Sequence, residues 1–187
     1  MMNDITLALF DMDGTLFNTG EANFLSYEKA CAEHGIKIDR GFFLSECYGR
    51  NYRDFLPDLG VPEELIEDIH DIKVVYYNDH LDEIKVNERL FSLIRCLRRD
   101  NVKTALVTTA SRSNTLEILR VFGCEDMFDL VMTQADCERQ KPAPDCYLAA
   151  MGHFGADPSE CIIFEDADVG LAAARASGAA VYKVEMF

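Results

Sequence analysis

An α/β fold, a parallel sheet with helices on both faces and one inserted helical cap, is predicted by three observations. Short apolar runs at residues 6–10, 104–107, Leu130–Met132, 161–164 and 180–184 alternate with stretches of helical spacing. The runs lack the apolar/polar alternation of a half-exposed strand, which marks burial on both faces. The rhythm is interrupted once, between residues 18 and 85, by a segment that is mostly helical in pattern and contains no convincing strand.

The elements follow in order. The run at 6–10 ends in Asp11 and reads as the first strand. Residues 22–33 place Phe24, Leu25, Ala30 and Cys31 near one helix face, Pro62-Glu63-Glu64 reads as a helix start, and helical spacing continues from Ile66 to His80. We expect residues 18–85 to form the cap over the end of the first strand, and residues 1–17 and 86–187 to form a Rossmann-like core. Within the core, helical spacing returns at Glu88–Arg99, 113–121, Asp145–Phe154 and 170–176, with Pro144 placed to open the third of these. Connections of this length suit right-handed crossovers between parallel strands.

Composition narrows the function. The chain has 187 residues, 49% of them hydrophobic, enough for one good core and a small second module. Asp and Glu number 33 against 18 Lys and Arg, for a net charge of −15, so Coulomb repulsion opposes nucleic acid and anionic membrane. Small molecules or proteins are the expected partners. No apolar stretch approaches the roughly 20 residues of a membrane span, and Met1-Met2-Asn3-Asp4 lacks a basic lead into an apolar segment, which predicts a cytoplasmic location. Seven cysteines form no Cys-x-x-Cys pair, so we expect buried free thiols rather than disulfides or a zinc site. His70 and His80 lie in a charged stretch and read as parts of a solvated helix face.

Open α/β sheets bind ligands beyond the carboxyl ends of their strands. There the chain places Asp11-Met12-Asp13-Gly14-Thr15, then Thr108-Thr109-Ala110-Ser111, then Lys141 within Gln140-Lys141-Pro142-Ala143-Pro144, then Glu165-Asp166-Ala167-Asp168. Asp11 and Asp13 share one side of an extended chain. Two acids so close repel unless a cation lies between them, and a hard divalent ion such as Mg²⁺ suits oxygen donors. Each piece alone also fits a turn, a helix cap or a solvated charge. All four at strand ends point to one site. One unit charge pair at about 4 Å is worth roughly 4 kcal/mol at an effective dielectric near 20. Surface charges beyond about 8 to 10 Å are screened, so a local cation outweighs the acidic surface.

In these segments, with Lys141-Pro142-Ala143-Pro144-Asp145, Phe164-Glu165-Asp166 and Gly170, the chain resembles the haloacid dehalogenase superfamily. The helical insert is similar to the small cap of the subgroup containing beta-phosphoglucomutase and phosphoglycolate phosphatase. The resemblance implies a Mg²⁺-dependent phosphatase acting on a small phosphorylated metabolite, a sugar phosphate or a nucleotide monophosphate. Asp11 would be the nucleophile that forms an aspartyl-phosphate, and Asp13 the general acid and base. Asp11, the backbone carbonyl of Asp13, and Asp166 with help from Glu165 would hold the metal. Thr108 would hydrogen-bond a phosphoryl oxygen and Lys141 would offset charge, with Gly14 and Thr109 beside them as phosphate-binding positions.

Asp13 argues against the dehalogenase branch, which lacks the second acid. A phosphomutase is the alternative. Asn23 falls where beta-phosphoglucomutase has a histidine, and Asn18 near one of its aspartates, which places that reading second. A third reading is a catalytically silent binding or regulatory protein. Within the insert, Arg50 and Arg53 are candidates to reach the rest of the substrate, with Glu21 and Asn23 weaker ones, and Arg112, just past the Thr108 loop, is another weaker candidate. Phe17, Phe42 and Phe43 read as packing.

Overall fold

The computed structural model describes residues 4–185. In chain order the elements are β1 Leu7–Phe10, β2 Phe17–Asn18, α1 Gly20–Glu33, α2 Arg40–Phe42, α3 Tyr52–Phe55, α4 Ile66–Tyr77, β3 Lys85–Val86, α5 Glu88–Arg99, β4 Lys103–Val107, α6 Arg112–Val121, β5 Leu130–Met132, α7 Asp145–Phe154, β6 Cys161–Glu165, α8 Asp168–Ala176 and β7 Ala180–Lys183. The chain forms two compact units, which change over between Asn18 and Thr19 and between Lys85 and Val86.

The α/β unit is built on a five-stranded sheet in the order β5-β4-β1-β6-β7, every neighbouring pair parallel. Phe10 stands opposite Leu106 on one side and Phe164 on the other, so β1, β4 and β6 end at nearly the same height. The strands are apolar because both faces are covered. Leu7, Leu9, Val107 and Ile163 pack with Tyr147, Ala150 and Met151 of α7 and with Ala173 and Ala174 of α8. On the opposite face Arg98 of α5 donates to the Thr104 hydroxyl at 3.0 Å. A short pairing of β2 with β3 escaped the sequence reading, since two-residue strands carry no periodicity.

The helical unit has its own core: Phe24, Tyr27, Ala30 and Cys31 from α1, Phe43, Cys47, Phe55, Leu56 and Val61 from the following turns, and Ile66 and Ile69 from α4. The rings of Tyr27, Phe43 and Phe55 meet edge-on or tilted at 5.2 to 5.7 Å, a geometry aromatic quadrupoles favour. Phe17 and Phe43 are fully buried, as expected for packing residues, whereas Phe42 is 42% exposed.

Two expectations are corrected here. Cys137 and Cys146 form a disulfide, their Cα atoms 5.4 Å apart across nine residues. The pairing comes from a chain reversal containing Pro142 and Pro144, so spacing rules for metal and redox motifs do not register it. Cys31, Cys47, Cys124 and Cys161 are buried free thiols, while Cys96 is exposed. His70 is no solvated helix position. Its ring stacks on Tyr52 at 3.6 Å, its Nδ1 lies 3.2 Å from the Tyr27 hydroxyl, and burial, aided by the Lys73 charge, depresses its pKa to about 4. The aromatic cover comes from α3, outside the window in which α4 was read.

Candidate active site

At the rim where β1, β4 and β6 end, the backbone first sets the spacing. Asp11 N donates to Phe164 O at 3.0 Å, carrying β1 pairing one residue past the strand and delivering the Asp11 carboxylate beside Glu165. Lys141 arrives from the loop between β5 and α7. Its Nζ donates to Asp11 Oδ1 at 2.6 Å, to Glu165 Oε2 at 2.7 Å and to Val107 O at 3.2 Å, one acceptor for each ammonium proton. The side chain is only 5% exposed, and a charge so buried persists only when it is paired in this way.

Glu165 is held from several directions. Oε2 also accepts from the Tyr147 hydroxyl at 2.6 Å, and Oε1 accepts from the backbone N–H groups of Asp166 and Ala167 at 3.2 and 3.3 Å. Asp166 Oδ1 accepts from the Thr15 hydroxyl at 2.7 Å. Two glycines leave room for these acids. A Cβ on Gly14, whose φ is +88°, would lie 2.1 Å from Asp166 Oδ2, and one on Gly170 would lie 2.1 Å from Glu165 Cδ.

The charges are out of balance. Carboxylate oxygens of Asp11, Glu165 and Asp166 lie within 4.8 Å of one another, and Lys141 is the cation bonded among them. Burial, and then the Glu165 charge, push the Asp11 carboxyl well above its ordinary range against the pull of Lys141. Burial raises Asp166 to about 6, with Glu165 and Asp13 adding to the rise and the Thr15 hydrogen bond opposing it. Burial would lower Lys141, but Asp11, Tyr147 and Glu165 outweigh it and keep the ammonium charged. An anionic excess of hard oxygen donors fits a divalent cation such as Mg²⁺.

Asp13 is half-buried, and its backbone bridges to Phe17. Thr108 is buried, with its hydroxyl accepting from Ala110 N at 3.0 Å. The cap of α6 is Ser111, which leaves Thr108 at the rim, while Thr109 is exposed. Arg50 and Arg53 belong to the helical unit and have partners there: Arg50 meets Asp58 at 2.9 Å and Arg53 meets Glu67 at 2.7 Å. Glu21 pairs with Arg40, Asn23 donates to Thr19 O, and Arg112 meets Asp136 at 3.4 Å. The sequence reading missed Tyr147 and gave Thr15 no role. The available signal for Tyr147 was a phenol on an otherwise apolar stripe with Cys146, Ala150 and Met151, all of which are buried.

The pattern of the haloacid dehalogenase-like hydrolases matches residues 8–184. Among similar proteins, CbbY of Rhodobacter capsulatus is 28% identical over 94% of this chain and 83% of its own. The pyrophosphatase PpaX of Halalkalibacterium halodurans is 29% identical over 87% of this chain and 75% of its own. The crystal structure of CbbY from Rhodobacter sphaeroides in complex with phosphate superposes with a TM-score of 0.84 at 25% identity, covering 98% of this chain and 87% of that one. The chain therefore belongs to the haloacid dehalogenase-like hydrolases and is an enzyme of that family.

Proposed function

We propose that the protein is a Mg²⁺-dependent phosphatase that hydrolyses a small phosphorylated metabolite, a sugar phosphate or nucleotide monophosphate, in the cytoplasm through an aspartyl-phosphate. The observation that carries the reading is the buried Lys141 bridge from Asp11 to Glu165, set beside Asp166 at the strand ends. The relatives support it, since the CbbY structure holds phosphate and PpaX is named a pyrophosphatase.

Asp11, Glu165 and Asp166, with the backbone carbonyl of Asp13, would hold the metal. Bound there, Mg²⁺ supplies charge neutralisation for the phosphoryl oxygens. Lys141 holds the Asp11 carboxylate in place and offsets charge on the transferring group. An Asp11 oxygen attacks phosphorus, the ester P–O bond breaks, and the leaving oxygen takes a proton from Asp13. Water then attacks the aspartyl-phosphate, Asp13 takes its proton, and inorganic phosphate leaves with Asp11 restored. Thr108 donates its hydroxyl proton to a phosphoryl oxygen, with Gly14 and Thr109 in the neighbouring loops lining the phosphate position. Arg50 and Arg53 remain proposed contacts to the rest of the substrate, each having to leave an acidic partner to make them.

The test is phosphate release from a panel of phosphorylated metabolites and an aryl phosphate, with Mg²⁺ and with chelator. Wild type turns over with Mg²⁺, while Asp11→Asn and chelated enzyme do not. Equal rates for wild type and Asp11→Asn would refute the reading. An isomer in place of free phosphate, formed only with a bisphosphate activator, would make the enzyme a mutase.

A further inference from the structure

Tyr147 is the largest of the fully buried side chains, and it lies in the apolar core with Leu9, Val107, Met151 and Ile163. A phenylalanine would fill that volume equally well, so packing does not account for the hydroxyl. Burying a hydroxyl is costly unless it is bonded, and this one donates to a carboxylate oxygen at 2.6 Å, the short distance of a charge-assisted bond. The acceptor, Glu165 Oε2, also receives Lys141, and Lys141 holds Asp11. Four groups thus stand in one chain, Tyr147 to Glu165 to Lys141 to Asp11, with the Lys141 ammonium 4.9 Å from the Tyr147 ring centre.

We propose that Tyr147 is a positioning residue for the reaction: its hydroxyl fixes the Glu165 carboxylate, which in turn aims the Lys141 ammonium at Asp11. This rests on the phosphatase reading above. The backbone contacts to Oε1 are long, at 3.2 and 3.3 Å, so without the phenol Lys141 is the one close donor left to the carboxylate. The carboxylate then rotates, and the ammonium follows it away from the Asp11 oxygen. Tyr147 touches no reacting atom, so its loss is expected in turnover rather than in substrate binding.

The experiment is Tyr147→Phe, which keeps the ring, assayed on an aryl phosphate at saturating Mg²⁺ beside wild type and Asp11→Asn, with the folded fraction followed by circular dichroism. We expect kcat to fall about tenfold, the lower end of what outer-shell partners of a metal site contribute, with KM and folded fraction unchanged. An unchanged kcat, a change confined to KM, or a fall in kcat matched by lost folded protein would each overturn the inference. If Asp11→Asn equals wild type, the phosphatase reading itself falls and this inference with it. If that gap stands and Tyr147→Phe behaves as wild type, only this inference falls.

Discussion

Lys141 of the α/β unit and Arg53 of the helical unit are both cations bonded to carboxylates at 2.6 to 2.7 Å, yet one is 5% and the other 58% exposed. Water solvates Arg53 and Glu67 whether or not they meet, so their pairing adds little to stability. Lys141, Asp11 and Glu165 have lost that solvation, and each depends on the others. A short ion pair therefore marks a site only where burial makes the pairing obligatory. By that criterion the strand-end cluster is one whose pairing burial makes obligatory, while Arg53 and Glu67 form a surface pair.

The comparison breaks most directly at Lys141. Replacing it by methionine leaves buried acids without their ammonium, and we expect a loss of about 3 to 5 kcal/mol in chemical denaturation without Mg²⁺. A loss under about 1 kcal/mol would put Lys141 in the same class as Arg53.

Gly170→Ala is next. In a helix interior alanine is ordinarily favoured over glycine by about 1 kcal/mol. Here the new Cβ would lie 2.1 Å from a Glu165 carboxyl group already bonded by Lys141 and Tyr147. Overpacking of this kind costs about 1 to 3 kcal/mol, so denaturation should show a net loss along with reduced turnover. A stabilised variant would show that Glu165 moves freely.

His70 tests a partly buried ionisable contact of the helical unit. Its folded pKa of about 4 lies below the ordinary value of 6.5, so the unfolded chain binds the proton more readily. The stability His70 contributes is present above pH 6.5 and is lost as pH falls toward 4. Urea midpoints at the two ends of that window should diverge more for wild type than for His70→Gln, and equal divergence would show the ring to be solvated. The smallest effect belongs to Arg53→Ala, expected to change stability by less than about 1 kcal/mol. A larger loss would erase the contrast between the units.

The same contrast explains what could be read from the sequence. The strands of the sheet were legible because burial on both faces leaves uninterrupted apolar runs, as at Leu7-Ala8-Leu9-Phe10. Asp11, Thr108, Glu165 and Asp166 were legible as a group because a parallel sheet delivers each strand end to one rim. Lys141 could be named but its burial could not, since the loop that carries it has no period. Tyr147 was hidden by its own stripe, because a phenol on an apolar helix face looks like packing until its acceptor, 18 residues away, is placed. The Cys137–Cys146 bridge and the Tyr52–His70 stack were illegible for one reason: each joins elements whose approach depends on a turn rather than on any repeat.

The account rests on Asp11 as the atom donor that captures a phosphoryl group, with Lys141 and the neighbouring acids arranged around it. Acid-quenched enzyme, mixed with a turned-over substrate and Mg²⁺ and digested for mass spectrometry, measures this directly. The account predicts that the peptide containing Asp11 gains the mass of one phosphoryl group, and that Asp11→Asn does not. Turnover with no such adduct, or an adduct on another residue, would contradict it.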